Sequence, residues 1–405
     1  MRSIFRTAYA KSWSTDFAVS ALVRSLGTAA PSLILLFCGG KHAPGAVLRG
    51  LRMAYPTTPV VGGSAAGAIC REALGYSGLE IGALAIIGSD ALPAIVTVDG
   101  LDRSEGEAGH ALGERIAEIA RPNAPVFLFY DSVASRDPLR LHPAAEILGG
   151  LHRGLKGKVI RLVGGGMLTD LNLGDGWVFD GWSVRKHAAV ALVFPATVRL
   201  ATQVAHGCRP ASSFMEITRI EGAEVFELDG KPALDVIETM LRLPLGTTDR
   251  MLSLSVTLGE KLGDPFAPYD ENAYVNRLIL SANRTTSSIT LFEPDFAVGT
   301  RVQIMSRDNE LMLQSAYDGV EVLGQAASAP NHDAAFSLYI DCAGRASAVS
   351  GAREEEADIV RQGFPQSVPF LGFYSGVEIA PFGDCARALD WTGVLATVSY
   401  SHDRQ

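Results

Sequence analysis

The chain has 405 residues, 47% of them hydrophobic and 20% charged, with a formal net charge of −9. That length suits two or three ordinary domains, each with its own core. The acidic balance, with Lys and Arg scattered rather than striped, argues against a nucleic-acid binder or a binder of anionic membranes. The five cysteines, Cys38, Cys70, Cys208, Cys342 and Cys385, lie far apart without CxxC spacing. This is the usage of reduced cytosolic thiols, not of a disulfide framework or a cysteine-rich zinc site. The N-terminus has basic residues but no apolar core of a signal peptide, and the longest apolar runs fall well short of the roughly 20 residues that span a bilayer. The expectation is a cytoplasmic protein with no membrane partner and no metal.

In chain order, Ser32 to Cys38 (SLILLFC) reads as a buried strand and Ala43 to Tyr55 as a helix. Pro59 to Val61 reads as a short strand ending at a Gly-Gly-Ser turn. Glu80 to Ile87 and Ala94 to Val98 read as a pair of strands. An amphipathic helix follows, with Ala108, Leu112, Ile116 and Ile119 on one face. Pro125 to Tyr130 is a strand, Ala144 to Leu155 a helix, and Val159 to Val163 a strand ending in Gly164-Gly165-Gly166. From Trp177 the spacing tightens to strands at 177–179, 188–194, 199–204, 215–220 and 225–228, which look antiparallel. A helix over 232–243 has Pro just inside its start. Strands at 252–257, 274–280, 288–292 and 301–305, a helix over 309–324 and a strand at 336–340 complete the pattern. The fold class is α/β (α+β), with layered mixed sheets, packed helices and a joint near residue 229. The predicted division is 1–229 and 230–405, with a ligand pocket where the two parts meet.

At that joint stand His206-Gly207-Cys208-Arg209-Pro210 and then Asp229-Gly230-Lys231-Pro232-Ala233-Leu234-Asp235. Upstream are Val61-Gly62-Gly63-Ser64-Ala65-Ala66-Gly67 and Val163-Gly164-Gly165-Gly166 with Asp170. Downstream are Ser337 to Arg345 (SLYIDCAGR), Gly372-Phe373-Tyr374 and Glu378-Ile379. In order and spacing these segments resemble the FIST family, with both its N-terminal and C-terminal regions, from about residue 30 to about residue 395. The chain departs from the family pattern at Ala65 and Ala68, where a Thr and an acidic residue are common, and at Val377, where a glycine is usual. The resemblance implies a sensory module for small ligands of the kind joined to signalling output domains, and a haem-based nitric oxide sensor in some members. No output domain is expected in this chain, so a separate signalling protein would receive the signal. A homo-oligomer is left open.

The candidate residues each carry two readings. Ser64 and Gly63 lie in a turn of small residues whose N–H groups suit an anion, or they form a tight strand-to-helix connection; Ser64 as a nucleophile is a further reading, although G-x-S-x-G is not satisfied. Gly165 and Asp170 are a pocket wall or a loop that needs glycine. His206 and Arg209 flank a glycine turn; a haem ligand, a base or a carboxylate partner competes with local backbone bonding. The resemblance brings Arg345, Tyr374 and Glu378 together at one pocket, for an amino-acid- or keto-acid-like ligand. The structural alternative is an Arg345–Glu378 pair that ties the last strands. Two functions follow: a stand-alone small-molecule sensor, or a cofactor-independent hydrolase or C–C bond-cleaving enzyme. In the enzyme Glu378 or His206 is the base and Arg345 its partner.

Overall fold

The computed structural model describes residues 2–242, 247–328 and 333–400. Three of its sheets have six strands each and share one plan. The first runs Ile4–Lys11, Glu80–Ile87, Leu33–Gly39, Val60–Ala65, Val178–Gly181, Val184–Arg185. The second runs Ala94–Asp99, Ala188–Val193, Ala124–Asp131, Ile160–Met167, Glu378–Phe382, Cys385–Leu389. The third runs Val198–Ala205, Gly393–Tyr400, Ala334–Cys342, Phe370–Ser375, Gly67–Cys70, Leu74–Gly75. In every sheet the two central strands pair parallel and the flanking strands antiparallel. Parallel partners need a crossover connection, and helices supply it: Pro44–Ala54, Ala144–Gly154 and Glu356–Gly363.

These units are linked in a ring. The strand that leaves each parallel pair crosses to the edge of another unit's pair. Gly67–Cys70 goes from the first unit to the third, Val178–Gly181 from the second to the first, and Glu378–Phe382 from the third to the second. Two sheets therefore draw strands from both sides of residue 229. The three sheets share one core, in which Phe37 stacks on Phe373 at 3.9 Å and meets Phe129 edge-on at 5.4 Å. Strands lying between residues 209 and 306 form a further sheet inserted in the third unit. Its strands Arg301–Ser306, Met215–Glu221, Glu224–Leu228, Ser288–Leu291, Tyr274–Asn283 and Val256–Lys261 close on themselves, because the last pairs back to the first.

Several expectations need correction. The glycine segments at 62–65 and 164–166 lie inside strands, not in turns. Glycine is there for close approach: a Cβ on Gly164 would lie 1.9 Å from the Leu128 carbonyl oxygen of the parallel neighbour. Glu80–Ile87 and Ala94–Asp99 are not a pair but belong to different sheets. Residues 252–255, read as the start of a strand over 252–257, belong to helix Asp249–Ser255, capped by the Thr248 hydroxyl. Strand Ile4–Lys11 and helix Thr15–Leu26 escaped the sequence reading. The C-terminal end of the predicted helix over 232–243 passes outside the described residues; the helix itself spans Ala233–Leu241. Among the described residues no helix is long and apolar enough to cross a membrane.

Candidate ligand-binding site

Gly63 and Gly165 hold equivalent positions, third from the end of the second parallel strand and opposite Phe37 and Phe129. Tyr374 is next to last on the corresponding strand of the third unit, opposite Asp341. A Cβ on Gly63 would lie 2.4 Å from the Trp177 carbonyl oxygen. Ser64 is buried and spends its hydroxyl on the backbone of Trp177, accepting from its N–H at 3.2 Å. Gly165 pairs across the sheet with Glu378. Tyr374 donates to Glu355 Oε1 at 2.7 Å. Asp170 closes its own loop by accepting from the N–H groups of Asn172 and Gly174.

Arg345 is fully buried, but its partner is Glu356 rather than Glu378. Its Nε donates to Glu356 Oε2 at 2.8 Å and its Nη2 to Oε1, while Nη1 donates to the carbonyls of Trp391 (2.9 Å) and His206 (3.1 Å). That fork is saturated and serves as a clamp. His206 is also saturated. Its Nδ1 accepts from the Cys208 N–H at 2.9 Å, which leaves Nε2–H to donate to the Glu271 carbonyl at 3.2 Å. Burial lowers its pKa to about 4, against the pull of Glu271. Neither ring nitrogen is available to haem iron, so His206 does not fit an axial ligand. Arg209 donates to the Tyr269 hydroxyl at 2.7 Å and stacks on that ring.

The site lies beside these residues, in an apolar cavity of about 370 Å³. Its walls come from the loop after the second unit (Leu171, Leu173), the closed barrel and its helix (Leu254, Leu278, Leu280, Phe292) and the ends of the third unit's strands. Cys342 and Ser375 end the parallel pair and face each other in register. Ligand clefts of α/β sheets favour such carboxyl ends. The two motif segments predicted to converge do meet here, through Cys342, Ala343 and Gly344 on one side and Ser375 and Gly376 on the other.

One buried cation that lines the cavity was not singled out from the sequence. Arg307 follows strand Arg301–Ser306, just before Asp308 caps helix Asn309–Ser328 with its carboxylate. It is 8% exposed, and its guanidinium lies over the Trp391 ring, 3.0 Å from the centroid. Nη1 donates to the Ser253 carbonyl, but Nε and Nη2 have no partner. Those two atoms form the edge of the guanidinium that grips a carboxylate with two parallel bonds. Burial lowers the Arg307 pKa to about 9, and the neighbours that favour its charge are the thiols Cys208 and Cys342 rather than a carboxylate.

Asp390 also lines the cavity. Its Oδ2 accepts from the Leu278 N–H at 3.0 Å, and its Oδ1 has no partner. Burial raises its pKa to about 6 although Arg277 opposes the shift. Behind it, Glu378 accepts from the Ser375 hydroxyl at 2.7 Å and the Thr392 N–H at 3.3 Å, and burial holds its pKa well above the usual carboxylate range. Glu293 takes the N–H groups of Ala144 and Ala145 at the head of helix Ala144–Gly154; burial, then Asp390, raise it to about 8. Trp391 is held at φ 55°, a left-handed backbone conformation uncommon for a bulky residue, and the Arg345 clamp grips its carbonyl.

Family models described as the FIST N domain and the FIST C domain match residues 32–231 and 233–381. Among curated relatives, the uncharacterized protein Rv0628c of Mycobacterium tuberculosis (strain ATCC 25618 / H37Rv) is 25% identical over 239 residues, 59% of this chain and 60% of that protein. The uncharacterized protein MJ1623 of Methanocaldococcus jannaschii is 23% identical over 336 residues, 79% of this chain and 61% of that protein. The matches thus span about 60% of the length of these relatives. Among solved structures, a chorismatase covers 98% of this chain and 99% of its own at 12% identity and a TM-score of 0.34. A cyanuric acid hydrolase from A. caulinodans covers 99% and 100% at 10% identity and a TM-score of 0.38.

Proposed function

The chain belongs to the FIST family, and on that premise we propose that its apolar cavity binds a small carboxylate with an apolar body, an amino-acid- or keto-acid-like ligand. FIST domains suggest a sensory, small-ligand-binding role. The observation that supports this ligand class is the unpaired Nε/Nη2 edge of Arg307 in a cavity walled mostly by apolar side chains. A buried cation without a counter-ion is costly, and an anion that completes it recovers that cost. Leu171, Leu173, Leu278, Leu280 and Phe292 offer surface only to a hydrocarbon body. The volume, at the small end for ligand pockets, suits a metabolite. A separate signalling protein that reads the filled cavity, a cytoplasmic setting and a homo-oligomer belong to the same proposal.

The test is thermal stabilisation by small carboxylates, each paired with its neutral amide. Stabilisation that rises with the logarithm of ligand concentration for the acid, and is missing for the amide, supports the proposal. Equal stabilisation by acid and amide removes Arg307 from it.

One observation favours a second reading, a hydrolase. Ser375 lines the cavity and its hydroxyl donates to Glu378 at 2.7 Å, the contact a serine nucleophile makes with its base. Product analysis on every stabilising compound separates the two, since a sensor returns its ligand unchanged.

A further inference from the structure

The carboxylate reading uses one of two unsatisfied groups in the cavity. The second is Asp390 Oδ1, on a side chain that is 4% exposed and lines the same enclosure. Its twin oxygen, Oδ2, is fixed by the Leu278 N–H, so the carboxylate is not free to turn towards another donor. Arg277 stands near but spends its fork on Asp295, and its Nη1 on the carbonyls of Asn276 and Ala388. Arg307 makes no ion pair with Asp390, and the third charged residue that lines the cavity, Arg250, is exposed. The enclosure thus holds a donor edge and an acceptor oxygen, each lacking a partner, within apolar walls.

We propose that Asp390 selects, within the carboxylates that Arg307 admits, those that also carry a hydrogen-bond donor, an ammonium or hydroxyl group, and discriminates against plain alkanoates and keto acids. This rests on the Arg307 reading and narrows it. A ligand with a donor completes both orphan groups. A ligand with only a carbonyl or a methylene at that place leaves Asp390 Oδ1 buried without a partner, and a site built to receive a hydrogen bond rejects the analogue that lacks it.

The test uses six-carbon acids that differ only in one group: hexanoate, 2-oxohexanoate, 2-hydroxyhexanoate, 2-aminohexanoate, 6-hydroxyhexanoate and 6-aminohexanoate. Dissociation constants are measured by calorimetry on the full chain and on Arg307→Met, Asp390→Asn and Asp390→Ala. At least one donor-bearing acid is expected to bind about tenfold or more tightly than hexanoate, with 2-oxohexanoate showing no gain. Asp390→Ala should erase that margin, since it removes both the acceptor that a donor-bearing acid completes and the orphan oxygen that penalises hexanoate. Asp390→Asn, the same in shape, should erase it for the amines, and its reading stands alone if the alanine variant fails to fold. The proposal is overturned if no donor-bearing acid exceeds hexanoate, or if the margin survives in both Asp390 variants. If instead hexanoate binds equally to the parent and to Arg307→Met, the carboxylate reading itself has failed, and the two failures are told apart.

Discussion

Replacing Arg307 with methionine should stabilise the empty protein and abolish its hold on carboxylates. Methionine keeps an unbranched chain over Trp391 and removes the charge. The cost of that charge can be worked from its pKa, lowered by burial from the ordinary arginine value to about 9. At neutral pH, below both values, the whole cost is present. It is on the order of 5 kcal/mol at 1.36 kcal/mol per pKa unit. Stacking on Trp391 returns about 2 kcal/mol and the hydrogen bond to the Ser253 carbonyl about 1.5 kcal/mol, so the variant should gain roughly 1–2 kcal/mol, read as a higher urea midpoint at an unchanged m-value. Two charged hydrogen bonds lost from the ligand at about 1.5–3 kcal/mol each should weaken carboxylate binding about 100-fold or more. Calorimetric titration with 3-phenylpropanoate checks the second figure. A variant that is less stable than the parent, yet binds the acid as before, would refute the reasoning on both counts.

Arg345→Met should do the opposite. It leaves Glu356 buried without its cation and frees the Trp391 carbonyl, so stability should fall by about 3–5 kcal/mol in urea unfolding. Between pH 6.5 and 8 stability should decline with rising pH. Glu293 has a folded pKa of about 8, above its ordinary value, so the stability it contributes in its protonated form is lost as the pH climbs through that value. Its share of the slope approaches about 1.4 kcal/mol per pH unit, and Glu293→Gln should make the decline in urea midpoints shallower by that amount, the rest belonging to other buried carboxyls such as Glu378. His206 gives the reverse slope on the acid side. Its folded pKa of about 4 lies below the ordinary 6.5, so stability is lost as pH falls from 6.5 towards 4. His206→Gln should reduce that loss, and an unchanged acid limb would contradict the burial described for the ring.

Strands such as Glu80–Ile87 and helices such as Glu105–Ile119 were legible because apolar periodicity is a local signal. The ring of three units was not, for the pairings that make it, Gly67–Cys70 against Phe370–Ser375 for one, join residues about 300 apart. The glycine runs misled for a related reason. Glycine in a turn and glycine in a crowded strand look alike until the Leu128 carbonyl beside Gly164 is seen. The motif segments around 342–345 and 374–378 border the cavity. They put the weight on Arg345 and Glu378, the most conspicuous charges, whereas the lining atoms belong to the neighbours Gly344, Ser375 and Gly376. Arg307 and Asp390 lie in plain Ser-Arg-Asp-Asn and Leu-Asp-Trp contexts. What sets them apart is the lack of a partner, a property of three-dimensional packing that no spacing along the chain encodes.

The most direct measurement is a crystal structure of the protein soaked in 3-(4-bromophenyl)propanoate, with the bromine located by its anomalous signal. The bromine should lie among Leu171, Leu278, Leu280 and Phe292, and the carboxylate should accept from both Nε and Nη2 of Arg307. A bromine peak elsewhere, or a ligand in the cavity whose carboxylate turns away from Arg307, would contradict the account.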